Sequence, residues 1–418
     1  MRCRAADGAR FAVRTLVPDT SPGLRAAIDH LGGVPPDALP DLTRFGAADA
    51  LAMRGLETDE LRILTREAER LGCRVLAAGG RAVVLGPLSV VASLPERLVE
   101  FGRRAEPLGA ALGAALAGRG RGRGVLTAGR HTLETGTRTL VMGIVNVTPD
   151  SFSGDGIPAD PDEAVARGLA MAAAGADLLD VGGESTRPHS TPVAEHEEVA
   201  RILPVVRELA ASAGVPVSVD TRKAAVAEAA LSAGAVAVND VWGLLGDPAM
   251  ATVCAAHPQA LVVAMHNRRG TDTSADVVEQ VCVGLWRSLE AAETAGVDPA
   301  RVVLDPGIGF GKTPAQNLEL LRRLGELRGL GRPLLVGASR KSTLGFLLAD
   351  AAGEAGVPAP GRRLEGSLAA AALAAVHGAD LVRVHDVAET VRALRVVDAL
   401  VRGTPVGLRD TPAPGPTG

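Results

Sequence analysis

The 418-residue sequence has no tyrosine, and Phe and Trp together make up only 2% of it. A core built on stacked rings is therefore excluded, and the 47% of hydrophobic residues must pack as aliphatic side chains. That composition favours buried parallel strands and Ala-faced helices over an aromatic-rich sandwich. Cysteine is also scarce: Cys3, Cys73, Cys254 and Cys282 lie far apart and form no CxxC pair. The expectation is reduced, structural thiols in a reducing compartment, with no protein-bound zinc site. The first residues, MRCRAADGARFAV, lack the apolar stretch of a secretion leader. No apolar run is long and uninterrupted enough to span a bilayer, so the chain is expected to be soluble, cytoplasmic and without a membrane partner. Forty-four basic against 48 acidic residues leave a net charge of −4, and no basic stripe points to nucleic acid.

Against these absences stands a strong periodicity. Residues 139–402 repeat one unit eight times: a short β-branched run, then an Ala-rich amphipathic helix. The runs are TLVMGIV, ADLLDVG, VPVSVD, AVAVND, ALVVAMH, RVVLDP, PLLVGA and DLVRVH. The intervening helices often end in a glycine suited to a C-cap, as in MAAAGAD, LSAGAV and AVHGAD. Strand–helix alternation of this kind implies a parallel sheet with helical crossovers, and eight units over ~250 residues favour a closed barrel. A doubly wound open sheet is the alternative, but the glycine fingerprint it predicts after the first strand is missing.

The fold class expected is therefore α/β, a (β/α)8 TIM barrel preceded by a small N-terminal α+β domain. The domain would span 1–124. Within it ETDELRILTREAERLG (57–72) has helical spacing behind an acidic first turn, CRVLAAGGRAVVLGPLSVVAS reads as short strands around a Gly-Gly turn, and two helices follow. RGRGRG (118–123) reads as a linker, 125–138 as a hairpin leading into the barrel, and 403–418 as a disordered Pro/Gly/Thr-rich tail. The first 124 residues carry no chemical motif.

Function is placed by where the polar residues fall. Each apolar run is followed at once by hydrogen-bonding or charged side chains: Asn146; then Glu184, Ser185, Thr186 and Arg187; then Asp220; Asn239 and Asp240; His266; Asp305; Ser339, Arg340 and Lys341; and finally Arg383 and His385. In a barrel these strand ends meet at one mouth, where the active sites of this fold lie. Any one of them, taken alone, reads as a helix cap. All eight together, with Lys and Arg among them, are costly to desolvate unless a ligand pairs with them. Asn146, Arg187, Arg383 and His385 are donors, or a metal ligand, suited to a pyrophosphate. Asp220, Asn239 and Asp305 are acceptors suited to a flat heterocycle rich in N–H groups.

The segments GIVNVTPDSFSGDG, DLLDVGGESTRP, VSVDTRKAAVAEAALSAGAVAVNDVWG, LDPGIGFGKT, GASRKSTLG and VRVHDV resemble, in order and spacing, the signature segments of dihydropteroate synthases. The resemblance covers residues 139–402. It implies condensation of 6-hydroxymethyl-7,8-dihydropterin pyrophosphate with p-aminobenzoate, in folate synthesis, by a dissociative, SN1-like displacement of pyrophosphate. It further implies that Asp220, Asn239, Asp305, Lys341 and Arg383 bind the pterin, and that Asn146, Thr186, Arg187, Arg383 and His385 serve the pyrophosphate. Pro188, Phe310, Lys341 and Ser342 would serve p-aminobenzoate. Asp220, Asp305, Lys341, Arg383 and His385 form the catalytic set. Mg²⁺ on Asn146 is the cofactor implied, the partners are small-molecule substrates, and a homodimer is expected.

Two positions depart from the family pattern: SFSGDG places its acid at Asp155, one residue later than usual, and His189 stands where a glycine follows STRP. Several polar residues carry plainer readings. GIGFGKT (307–313) has Pro306 where a nucleotide-binding P-loop needs its first glycine, so ATP is not expected there. Phe310 can be core, Asp150 can serve loop structure, and His266 reads as structural. Arg268 and Arg340 read as rim salt-bridge residues, and His196, His257 and His377 as surface or helix-end residues. A pterin-dependent methyltransferase domain would lack the SRKS and RxH elements, and a non-catalytic pterin-binding paralogue would have lost rim residues; both stay open as alternatives.

Overall fold

The computed structural model describes residues 12–16, 49–119, 124–147, 160–184, 192–273, 276–352 and 356–403. The N-terminal unit comprises β1 (Ala12–Leu16), β2 (Asp49–Arg54), α1 (Thr58–Arg70), β3 (Arg74–Ala78), β4 (Arg81–Gly86), α2 (Leu88–Val91), α3 (Leu94–Val99) and α4 (Glu106–Arg119). Its strands pair antiparallel in the order β1-β2-β4-β3. Helix α1 starts where the acidic turn predicts, with the Glu57 N–H donating to Glu60 Oε2 at 2.8 Å. Ile63, Leu64 and Ala68 on one face of α1 pack into a core with Leu51, Leu98, Leu108 and Leu112.

Three expectations for this region change. The SVVAS stretch is not strand: the Pro87 carbonyl accepts from the N–H groups of Val90 and Val91 at 2.9 Å and winds residues 88–91 into a turn of helix. The RGRGRG linker starts later than read, because α4 runs on to Arg119; residues 120–123 lie outside the described ones. Strands β1 and β2 have no counterpart in the reading of the sequence. They pair across 32 intervening residues, a contact that no local pattern announces. The tail, 404–418, also lies outside the described residues.

The hairpin β5 (Gly124–Ala128) and β6 (His131–Thr135) leads into β7 (Leu140–Asn146), α5 (Pro161–Ala173), β8 (Leu178–Gly182), α6 (Glu195–Ser212), β9 (Val217–Asp220), α7 (Ala224–Ser232), β10 (Ala237–Asp240), α8 (Met250–Ala256) and β11 (Leu261–Met265). It continues through α9 (Val277–Ala295), β12 (Val302–Asp305), α10 (Pro314–Arg322), β13 (Leu335–Val336), α11 (Ser342–Ala352), α12 (Leu364–Val376), β14 (Leu381–Val384) and α13 (Val387–Arg402). The eight strands β7–β14 are all parallel, in the order β12-β11-β10-β9-β8-β7-β14-β13. A parallel bridge from Leu304 to Leu334, with Leu304 N–H on the Pro333 carbonyl at 2.9 Å, joins the two ends. The sheet therefore closes as a (β/α)8 barrel, and the doubly wound alternative falls. The glycines read as C-caps, Gly175, Gly234 and Gly378, have φ of +101°, +115° and +107°, where a side chain would be strained.

Alternation along the strands sorts residues to two sides of the barrel wall. Val181, Val219, Val238, Val262, Leu304 and Val382 face the helices in the large outer core. Met142, Leu178, Ala237, Leu261, Val263, Val303, Leu335 and Leu381 face the lumen, where Leu126, Ala128 and Leu133 of the hairpin close the bottom. Cys73, Cys254 and Cys282 are buried. No helix among the described residues is long and apolar enough to cross a membrane.

Because Leu126 is 2% exposed beneath the barrel, Leu126→Ala is expected to leave a cavity and cost about 2–4 kcal/mol. Denaturant melts compared with the unaltered protein check this; an unchanged midpoint would mean that the hairpin does not plug the barrel.

Candidate active site at the barrel mouth

Above the apolar floor, the same inward-facing register becomes polar. Asp180 on β8, Asp220 on β9, Asn239 on β10, Asp305 on β12 and Arg383 on β14 occupy the lumen-facing positions two residues, or a multiple of two, beyond the apolar layer. Arg383 is the hub: its Nε donates to Asp180 Oδ2 and its terminal NH2 to Asp220 Oδ2, both at 2.6 Å. Asp180, wholly buried, also accepts from Asn239 Nδ2 at 2.8 Å. One guanidinium thus serves two carboxylates. The second oxygen of each, Asp180 Oδ1 and Asp220 Oδ1, is buried and has no hydrogen-bond partner. Burial raises the Asp220 carboxyl to about 7, with Arg383 pulling it down and the Asp180 charge pushing it up.

Asp305 stands across the lumen. Its Oδ1 accepts from Gly307 N–H at 2.7 Å, while burial raises the carboxyl to about 6 against the pull of that bond and of Lys341. Gly337 borders both side chains: a Cβ there would make ordinary contact, at 3.8 Å, with Arg383 Cβ and Asp305 Oδ2. The following loop is held from below by Lys312. Its buried ammonium donates to the carbonyls of Gly307 (2.9 Å), Phe310 (3.0 Å) and His266 (3.3 Å), and burial pushes its pKa down to about 7. Lys341 lies over the Phe310 ring, 4.1 Å from its centroid. Asn317 couples this loop to the next, accepting from Gly309 N–H at 2.8 Å and donating to Thr343 Oγ1 at 3.0 Å. Phe310, Lys341 and Ser342, which begins α11 and is exposed, therefore share one side of the mouth.

Arg340 has a left-handed φ of 59°, a costly conformation for a residue with a Cβ. Its guanidinium grips Asp386 (3.0 and 2.6 Å) and its N–H donates to Ser367 Oγ (3.0 Å), so the turn presenting Lys341 is clamped. His385 follows β14, with Nδ1 3.1 Å from Ser339 Oγ. Asn146 ends β7 opposite Gly182, half-buried. Thr186, Arg187, Pro188 and His189, like Asp150 and Asp155, lie outside the described residues.

Several polar strand-end residues do other work. Asp240 caps its own turn, accepting from Trp242 and Leu244 N–H at 2.8 and 2.7 Å, so the plainer reading holds for it. Glu184 is paired to Lys223 at 2.8 Å and Arg222 at 3.2 Å, and Lys223 also bonds Glu198 and the Val193 carbonyl. These contacts pin both flanks of residues 185–191. His266 is buried and pushed to about 3, a neutral packing residue as read. Arg340 forms the expected rim salt bridge. Arg268 does not: it bonds the Gly311 and Asp272 carbonyls and the side chains of Gln280 and Gln316. Asp180, Lys312 and Asn317 escaped the sequence reading. For Asp180 a signal existed: a lone carboxylate inside the apolar run ADLLDVG, at lumen parity.

A closed parallel barrel whose inward carboxylates, amide, arginine and lysine converge at the carboxyl ends of the strands defines an enzyme of the (β/α)8 class with an acceptor-rich pocket at its mouth. Within that class the chain belongs to the pterin binding enzyme family, whose profile matches residues 142–385. It is 48% identical over 272 residues to the dihydropteroate synthase of Mycobacterium leprae (63% of this chain, 94% of that protein). Over 264 residues it is 43% identical to the Bacillus subtilis enzyme (63% and 89%). A crystal structure of dihydropteroate synthase from Clostridium difficile, in the presence of pteroic acid, superposes with a TM-score of 0.60 at 46% identity, covering 65% of this chain and 99% of that one. The resemblance read from the six segments is thereby established, and the N-terminal unit precedes the residues the family profile matches.

Raised carboxyl pKa values set a pH dependence. Asp220 and Asp305 hold protons more firmly in the folded than in the unfolded state, so their contribution to stability is largest in acid and falls as pH rises from about 4 towards 6 and 7. Ligand acceptance runs the other way, since only the carboxylate accepts. Calorimetric affinity for a pterin is expected to weaken as pH drops below about 6; a flat profile from pH 5 to 8 would remove both carboxylates from the ligand contact.

Proposed function

We propose that the chain is a dihydropteroate synthase, joining 6-hydroxymethyl-7,8-dihydropterin pyrophosphate to p-aminobenzoate with release of pyrophosphate. The observation that carries this reading is the set of orphaned buried acceptors. Asp180 Oδ1 and Asp220 Oδ1 lack donors, and leaving them so costs ~1–3 kcal/mol each. A pterin edge, with ring N–H and exocyclic amine side by side, supplies such donors. Asn239 and Asp305 extend the same acceptor-rich wall, and Lys341 offers its ammonium between ring pocket and mouth.

In the reaction the C–O bond between the pterin methylene and pyrophosphate breaks, its electron pair leaving with pyrophosphate. The arylamine lone pair forms the new C–N bond, and the amine proton passes to solvent or to the leaving group. Asp220 and Asp305, as carboxylates against the ring, favour the positive charge that spreads into it as the bond breaks, which makes the path dissociative. The arylamine is neutral at pH 7, so no strong base is required, and positioning against the Phe310 wall supplies much of the rate. Ser342, at the exposed N-terminus of α11, holds the p-aminobenzoate carboxylate with Lys341 nearby. Arg383 and His385 at the end of β14, together with Thr186 and Arg187, receive the pyrophosphate, and Pro188 serves p-aminobenzoate with Phe310.

Asn146 fits a Mg²⁺ site of the kind completed by substrate. Its side-chain amide makes no hydrogen bond among the described residues, and no cluster of three His, Cys, Asp or Glu there forms a protein cage. Mg²⁺ commonly takes one or two protein oxygens and keeps water and phosphate oxygens for the rest. When bound, it would neutralise charge on the diphosphate.

A cytoplasmic location goes with this reading, because the substrates proposed are small soluble molecules. A second copy of the chain is the partner proposed. Leu373 and Val376 on α12 and Val396 and Leu400 on α13 are large apolar side chains left 42–81% exposed, on two helices that pack side by side. Leu400→Glu is expected to convert the dimer to monomer in light scattering; a wild-type monomer at micromolar concentration would sink this.

The decisive assay supplies pterin pyrophosphate, p-aminobenzoate and Mg²⁺ to the purified chain. Turnover is expected, with sulfonamides competing against p-aminobenzoate. Asp305→Ala is expected to cost about 3 kcal/mol, or roughly a hundredfold in kcat/KM. Pterin binding without turnover would instead identify a non-catalytic paralogue, and methyl transfer a methyltransferase domain.

A further inference from the structure

A cleft of about 460 Å³ opens where the N-terminal unit meets the outside of the barrel, a size within the range that small-molecule sites occupy. It is separate from the lumen: its walls are the end of β11, the Trp242 turn, helix α9, and the side chains of Arg54 and Arg81 on β2 and β4. Its charge is unbalanced. Four guanidinium groups line it, Arg54, Arg81, Arg268 and Arg287, against the two carboxylates Asp272 and Glu279.

The distribution of partners sharpens that imbalance. Of the carboxylates that line the cleft, Arg54 and Arg81 both pair with Glu279, at 3.2 and 3.8 Å. Arg268 is bonded to carbonyls and amides, so its charge is not neutralised. Arg287, exposed on α9, has no ion pair among the described residues. His266, also in the wall, is neutral across the working pH range. Docking of the N-terminal unit accounts for the Arg54–Glu279 pair. It does not account for an unfilled cleft with surplus positive charge, since a contact serving only to dock two units gains most by excluding such space.

One wall is flat and apolar. Trp242 is half-buried beside the exposed Leu245, and the Arg269 guanidinium lies 6.0 Å from the indole centroid. The turn carrying Trp242 is rigid, because buried Asp240 accepts from both Trp242 and Leu244 N–H and Leu244 sits at φ 65°. Arginines around a fixed indole face match a ring that stacks while its negative groups take the guanidinium forks.

We propose that this cleft binds a small flat aromatic polyanion, carrying phosphate or carboxylate groups, gripped by Arg54, Arg81 and Arg287 and stacked on Trp242. The site also touches the arylamine side of the barrel mouth. Arg268 donates from the cleft wall to the Gly311 carbonyl at 2.6 Å, in the loop that carries Phe310 and Lys312. Occupancy of the cleft therefore bears on that loop.

Titration calorimetry on the full chain, with ATP as the phosphate-bearing probe and benzene-1,3,5-tricarboxylate as the carboxylate-bearing one, tests the site. At least one probe is expected to bind, and the one that does identifies the anionic group. Arg287→Glu, whose side chain supports no fold contact, is expected to weaken that binding by about tenfold or more, Trp242→Ala to weaken it with an unchanged melting temperature, and His385→Ala at the mouth to leave it intact. Absence of binding by both probes up to about 10 mM, or binding abolished by His385→Ala and retained in Arg287→Glu, would overturn the proposal.

Discussion

The barrel's working end depends on one half-buried guanidinium. Arg383 lies between Asp180 and Asp220 and, among the described residues, is the only side chain bonded to both. Without it two carboxylates would face each other in a lumen nearly shut off from water, and removing one partner of such an arrangement costs ~3–5 kcal/mol. With it, each carboxylate spends one oxygen on the arginine, and the other stays buried without a hydrogen-bond partner. Asn239 is held in the same network through Asp180, so the acceptor pattern is prepared before any ligand enters.

That network is tolerable only because the rest of the barrel is apolar. Below it, leucines, valines and the hairpin side chains Leu126 and Leu133 fill the lumen to the base, and outside the wall the aliphatic core carries the stability. Around the mouth, loops are fixed by contacts that touch no ligand: Lys312 beneath the Phe310 loop, Asn317 joining it to α11, Arg340 on Asp386, and Lys223 on Glu184. Preorganisation is thus spread over residues with no reacting atom near them. The N-terminal unit adds a second, independent surface, joined to the mouth through Arg268.

Much of this was legible in the residue order. Eight β-branched runs separated by Ala-rich helices predict the barrel, and the polar residue closing each run marks the mouth. Legibility failed where a residue's role depends on partners distant in the chain. Asp240 and Asp305 look alike in sequence, each ending a strand and accepting from the N–H two residues on; Asp240 spends its second oxygen on Leu244, whereas no described residue bonds the second oxygen of Asp305. Glu184 looks like a ligand residue and is spent on Lys223 and Arg222. Strands β1 and β2 were missed because their pairing joins segments more than thirty residues apart.

The sequence alone determines the period-two alternation in each strand, the helix caps and the order of the family segments, because these follow from backbone geometry and near-neighbour chemistry. Only tertiary structure decides which charges meet. Asp180 and Arg383 are separated by 203 residues, and Arg54 and Glu279 by 225. Chain closure brings each pair within hydrogen-bond reach, and at that range burial and pairing, rather than residue type, set what a carboxylate or a guanidinium does.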